Sequence, residues 1–160
     1  MPSKQVQQSE EYSKLMEYSL KLLSKRRLTI HEMDLRLRKR NVGEEEDIVR
    51  VLERLQELDY LDDALYATDF IKDRMKFRPR GILLLKHDMY KKGLLKDVIE
   101  DAILSSDIDE EKIARVVAET RAGRLRSLPL FKRKQKLVFF LRSRGFAANT
   151  IYKVVDGIKE

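Results

Sequence analysis

No cysteine occurs in the 160 residues, so disulfides, thiolate metal sites and cysteine nucleophiles are excluded, and a reducing compartment fits that composition. Histidine is nearly as scarce. His31 and His87 stand without a ligand-spaced His, Cys or carboxylate set around them and read as helix-surface residues. Six Gly and three Pro are too few turn and bulge formers for several strands. The longest apolar run, Leu137 to Leu141, has five residues, far short of the eighteen or so that a membrane helix needs. The opening residues, Met1-Pro2-Ser3-Lys4-Gln5, are polar and lack the apolar stretch of a secretory signal, so the expectation is a soluble cytoplasmic protein with no membrane partner. No GxxxxGKS/T loop, GxGxxG turn or GxSxG elbow is present, which leaves nucleotide binding in such loops and serine-hydrolase chemistry unsupported. Asp62 and Asp63, as neighbours on a helix, point about 100° apart and do not converge on one metal or proton, so opening a helix is the role that suits them. These absences describe a binding protein rather than an enzyme, with no cofactor and no metal.

What is present favours helix throughout. Apolar residues make up 42% of the chain, too many for intrinsic disorder, and Leu, Arg, Lys, Glu and Met dominate. Leu15, Leu22 and Leu23, then Ile48, Val51, Leu52 and Leu55, then Ala67, Phe70 and Ile71, then Val98, Ile99 and Ala102, and finally Ile151, Val154 and Val155 recur at three- and four-residue steps. Thr29 followed by Glu32 reads as a capping box, and Asp62, Asp109 and Ser127 with Pro129 are further openings. The pattern predicts an all-α chain of about nine short helices, with the run Leu137–Leu141 as a helix buried on more than one side.

One local signature occurs three times: Leu37-Arg-Lys-Arg40-Asn41-Val42, Met89-Tyr-Lys-Lys92-Gly93-Leu94 and Leu141-Arg-Ser-Arg144-Gly145-Phe146, each 52 residues after the last. Met33, Leu85 and Leu137 stay in register before it, as do Val51, Ile103 and Val155 after it. The signature is a helix end: Gly or Asn takes the left-handed position, the next apolar residue folds back, and the cations sit at the negative end of the helix dipole. Three copies in register argue for a tandem array of three three-helix repeats, spanning residues 12–58, 59–106 and 107–160, with residues 1–11 as a flexible lead. A unit of about fifty residues buries too little surface alone, so neighbours are expected to share apolar faces in an elongated array.

Charge follows the repeat. The net value runs +5 over residues 1–43, −8 over 44–71, +7 over 72–96, −6 over 97–119 and +9 over 120–160, giving +7 overall. Each middle helix is therefore basic. Oppositely charged helices could simply lie side by side, paired by exposed ion pairs worth little each. Alternatively, the basic helices form a stripe that meets phosphates or an acidic protein groove. Candidates for such contacts are Arg36 and Arg40, four apart on one face, then Arg78, Arg80, Lys91 and Lys92, then Arg124, Arg126, Lys132, Arg133, Lys136 and Arg144. Aromatics are sparse. Phe70, Phe139, Phe140 and Tyr152 lie at core spacing and read as packing rather than base-stacking platforms.

From about Tyr12 to Ile158 the sequence resembles the RecX family of regulatory proteins, bacterial modulators of the RecA recombinase. The resemblance is carried by Arg27-Leu-Thr-Ile-His-Glu32-Met33 with Leu37 and Arg40-Asn41-Val42. It continues in Leu58-Asp-Tyr-Leu61-Asp62-Asp63-Ala-Leu-Tyr66-Ala67 with Phe70 and Arg74, and in Gly81-Ile82 with Asp88-Met89-Tyr-Lys-Lys92-Gly93-Leu94. Thr29 stands where the family often has Ser, Met33 and Met89 replace common leucines, and Asn41 replaces the first-repeat Gly; the third repeat matches most loosely. The resemblance implies a non-catalytic regulator that binds the RecA filament on single-stranded DNA, lies in its helical groove, and limits its extension, ATP hydrolysis and strand exchange; a monomer is the expected state. Residue chemistry alone leaves two other readings open. One is a helical protein that recognises DNA or RNA directly, such as a helix-turn-helix-like transcription regulator; the other is a purely structural helical adaptor.

Overall fold

A computed structural model describes residues 4–159. Among them there are nine helices and no strand: α1 (Lys4–Leu23), α2 (Ile30–Arg40), α3 (Glu45–Glu57), α4 (Asp63–Phe77), α5 (Ile82–Lys91), α6 (Lys96–Ser105), α7 (Glu110–Gly123), α8 (Leu130–Ser143) and α9 (Ala148–Asp156). The all-α reading and the helix count hold. The flexible lead does not describe residues 4–11, which already belong to α1; residues 1–3 lie outside the described part.

Local chemistry explains the helix boundaries. Thr29 Oγ1 accepts from the Glu32 amide at 3.0 Å while the Glu32 carboxylate accepts from the Thr29 amide at 3.3 Å, completing the expected capping box of α2. Asp62 opens α4 by accepting from the Leu65 amide at 2.9 Å, and Asp109 opens α7 through the Lys112 amide at 3.0 Å. At α8 the Ncap is Pro129, which has no side-chain acceptor to offer; Ser127 sits two residues earlier and does not cap. The three repeated signatures are left-handed turns, with φ of 52° at Asn41, 77° at Gly93 and 77° at Gly145. In the second and third copies Leu94 and Phe146 donate back to Met89 O and Leu141 O, the long bond of a Schellman motif, and bury their side chains.

Packing is confined within each group of three helices. The first and third helix of each unit pair closely, and every extensive helix-on-helix contact among the described residues falls inside one unit. Three apolar cores result. Leu15, Met33, Leu37, Val51 and Leu55 centre the first; Ala67, Ile71, Leu85, Met89 and Ile99 the second; Ala114, Ala118, Leu137, Leu141 and Val154 the third. The expectation that neighbouring repeats share apolar faces is overturned: the cores are separate, and the repeats meet through helix ends. The run Leu137–Leu141 is also less buried than expected. Leu137 and Leu141 are fully enclosed, whereas Phe139, two positions round the helix from each, is 69% exposed.

Candidate partner and nucleic-acid interface

The middle helices α2, α5 and α8 are joined head to tail, and that places their cations. At the first junction the amino end of α2 meets the carbonyl end of α5. Thr29 Oγ1 donates to Lys92 O at 2.7 Å, the Ile30 amide donates to Asp63 Oδ1 at 2.9 Å, and Lys92 Nζ pairs with Glu32 Oε1 at 2.9 Å. At the second, the amino end of α5 meets the carbonyl end of α8. The Gly81 amide donates to Arg144 O at 2.8 Å, the Leu83 amide to Gly145 O at 3.2 Å, and the Ile82 amide to Glu110 Oε1 at 2.9 Å. Positions 52 apart thus do the same job twice, a hydroxyl at Thr29 replacing the backbone amide at Gly81. Each junction satisfies helix-end donors that a bare terminus leaves unpaired.

The junctions explain the glycines. A Cβ on Gly93 would collide with the His31 ring, and one on Gly145 with Leu84, so both positions need glycine for close approach as well as for their left-handed backbone. Asn41 is exposed and meets no middle-helix end among the described residues, so only the left-handed conformation must be tolerated there, and asparagine suffices.

Two carboxylates at the first junction are shifted in opposite senses. Burial would raise the Glu32 carboxyl, but hydrogen bonds from Lys92, Arg26 and the Thr29 amide outweigh it and hold it below the ordinary range. Burial pushes Asp63 up in spite of the Ile30 amide, with Asp62 and Glu32 adding to the rise. For Glu32 the depressed value means stability that is present above the ordinary carboxylate range and lost as pH falls through the lowered value; for Asp63 the sign is reversed. Glu32→Gln is therefore expected to lower stability by about 1 kcal/mol at neutral pH and to flatten the acid loss, read as the difference in melting temperature between parent and variant from about pH 7 to pH 3.

The twelve candidate cations separate by what they touch. Lys92 is tied to Glu32, Arg80 to Asp88, and Arg133 donates to the Arg126 and Leu128 carbonyls at 3.4 and 3.3 Å. The Arg40 guanidinium lies 4.7 Å over the Tyr18 ring, and that of Arg144 lies 5.3 Å over Phe140. Arg36, Arg78, Lys91, Arg124, Arg126, Lys132 and Lys136 make no ion pair with a carboxylate among the described residues. Side-by-side charge satisfaction is real in all three repeats, where Arg38 chelates Glu45 at 2.6 Å, Lys86 reaches Glu100 at 2.7 Å and Lys153 of α9 reaches Glu111 of α7 at 3.2 Å. It does not extend to α8, none of whose cations is in a salt bridge among the described residues.

Cations gather in several clefts. Arg126 and Arg133 line one with Lys159 and Glu119. Of two others, distinct in composition, one, of about 370 Å³, is lined by Lys14, Glu17, Tyr18, Lys21 and Leu22 of α1, Lys25 just beyond it, and Arg40. Sequence reasoning misses these lysines, although positions 14, 18, 21 and 25 have helical spacing and the signal is there to be read. The other, of about 360 Å³, lies between the end of α4 and helices α7 and α8, and brings together Arg78, Arg121, Arg124 and Arg144 with Phe77 and Phe140. Lys91, Lys132 and Lys136 fall in none of the three. The aromatic reading needs correction as well: Phe140 and Phe70 pack against their cores, but Phe139 and Tyr152 are exposed. Among the described residues no group of His, Asp and Glu is arranged to hold a metal, and no helix is long and apolar enough to cross a membrane.

An all-helical array of tandem three-helix repeats, linked by helix ends and carrying free cations on its middle helices, is the class of protein that these features define. Models for the second and the third three-helix domain of RecX match residues 62–103 and 109–155. Regulatory protein RecX of Chlorobaculum tepidum is 31% identical over 145 residues, covering 89% of this chain and 87% of its own; that of Prosthecochloris aestuarii is 33% identical over 123 residues, covering 74% and 76%. The crystal structure of RecX from Lactobacillus salivarius superposes with a TM-score of 0.84 at 26% identity, over 92% of this chain and 96% of that one. The chain belongs to the RecX family of regulatory proteins.

Proposed function

We propose that this chain is a cytoplasmic monomer that binds RecA-type recombinase filaments on single-stranded DNA and limits their growth, ATP hydrolysis and strand exchange, catalysing no reaction itself. Family membership over nearly the whole chain carries the reading. The physical support is the series α8, α5, α2, which sets unpaired cations along successive repeats and so suits a partner whose acidic groups and phosphates recur along a groove. Arg36, Lys91, Lys132 and Lys136 are the outer contacts in this reading, with Arg40, Arg78, Arg124 and Arg126 as further ones; Lys92 ties the first repeat to the second through Glu32, and Arg80 is paired with Asp88 inside the second. The test is the steady-state ATPase rate of RecA filaments on single-stranded DNA as this protein is titrated in. A fall in rate below one copy per recombinase subunit is expected. Replacing Arg36, Lys91, Lys132 and Lys136 together by Gln, with Lys92 kept, should weaken the effect about tenfold or more while the circular dichroism melt stays unchanged. An undiminished effect in that folded variant removes the stripe, and no effect from the parent protein removes the function.

A further inference from the structure

The cleft between α4, α7 and α8 holds four guanidinium groups, from Arg78, Arg121, Arg124 and Arg144, and no carboxylate lines it. None of the four is in a salt bridge among the described residues. Arg121 and Arg144 are held on Phe140, with guanidinium carbons 5.2 and 5.3 Å from the ring centroid, and the Nε of Arg121 is buried without a hydrogen-bond partner. Arg78 and Arg124 are exposed and follow the last turns of α4 and α7, whose carbonyl ends favour cations. Phe77, beside them, is 70% exposed, with the Lys76 ammonium 5.2 Å over one face of its ring.

Four like charges gathered in one cleft repel one another, and a bound anion relieves that repulsion. Planar guanidinium forks match a phosphate, and an exposed ring beside them offers a face to a base. We propose that this cleft binds a phosphodiester of single-stranded nucleic acid between Arg78, Arg124 and Arg144, with the adjacent base stacked on Phe77. Arg121 and Phe140 are the rigid floor. The assignment rests on single-stranded DNA being part of the partner, and it adds where on this chain the strand lies. An acidic peptide would meet the same charges but would leave the Phe77 ring without a flat partner.

The experiment measures fluorescence anisotropy of a labelled twelve-residue oligothymidylate, without recombinase, against the full chain. Arg78→Glu with Arg124→Glu is expected to weaken binding at least tenfold and to flatten the salt dependence of log affinity by about 0.7 for each phosphate no longer neutralised. Lys72→Glu with Lys96→Glu, an equal charge change at exposed positions outside the cleft, should cost less than threefold. Phe77→Ala keeps every charge and should cost about fivefold or more, the low end of what one base–aromatic stack supplies. Equal losses in the two charge variants, no loss with Phe77→Ala, failure of the parent to bind, or displacement of the oligonucleotide by a glutamate-rich peptide at matched charge concentration would each overturn the assignment. The filament ATPase run on the same variants separates the two proposals: a parent that inhibits while its cleft variants keep oligonucleotide affinity leaves the function standing and removes only the cleft.

Discussion

Replacing Leu37 by Ala is expected to cost about 3 kcal/mol and to melt the first repeat while the other two stay folded. Leu37 is fully enclosed at the centre of the first core, and truncation of such a residue costs about 2–5 kcal/mol through lost transfer free energy and the cavity left behind. The distinctive part is where the damage stops. No buried residue is shared between the three cores, and a unit of about fifty residues has little stability in reserve. Hydrogen exchange read by residue should show α1 to α3 losing protection, with amides of α4 to α9 near parent values. Uniform loss over all nine helices would mean that the junctions transmit folding from unit to unit.

Gly145→Val should have an effect of similar size by another route. The residue has φ of 77°, where a β-branched side chain costs about 1–2 kcal/mol, and its Cβ would run into Leu84, adding about 1–3 kcal/mol of overpacking. Relief comes by separating the third repeat from the second, which breaks the Gly81 and Leu83 hydrogen bonds but leaves the cores whole. The expected result is near-parent helicity by circular dichroism together with a larger radius of gyration in solution scattering. The control is Asn41→Gly, with no neighbouring repeat to approach, which should change neither by much. A Gly145→Val chain of parent dimensions and stability would show that the junction does not need glycine.

Much of this fold is legible in the sequence, because a 52-residue register in helix ends and apolar positions is a long-range signal written in local chemistry. Thr29 with Glu32, Asp62 and Asp109 act within one turn of themselves, and each caps as its residue type requires. The junctions are not legible in the same way. Asp63 accepts from Ile30, and Lys92 pairs with Glu32, sixty positions away; neither spacing has a period that a window along the chain can detect. For the same reason Gly93 and Gly145 read as caps, when each is also a point of close approach between two repeats. Phe139 misleads because five consecutive apolar residues exceed one helix face, and nothing in the run marks which of them is left outside. Among the candidate cations, Lys92 has its carboxylate partner sixty positions away and Arg133 turns back onto carbonyls of the preceding loop, and by position both look the same as free ones. Arg80 lies in the loop before α5 and reaches forward to Asp88 inside it, a pairing that no helical period marks because only one of the two is on the helix.

The amide end of α2 meets the carbonyl end of α5, and the amide end of α5 meets the carbonyl end of α8, so the array carries an arrow. At one tip the carbonyls of α2 are flanked by Arg38, Lys39 and Arg40, which offset the local dipole; at the other, the amide end of α8 has no acidic residue in its first turn, and Lys132, Arg133 and Lys134 add to its positive character. The two tips are therefore electrically unlike. A partner that has its own direction, as a nucleic-acid strand has from 5′ to 3′, meets a different surface when the array is turned end for end, and one of the two alignments is favoured by electrostatics alone.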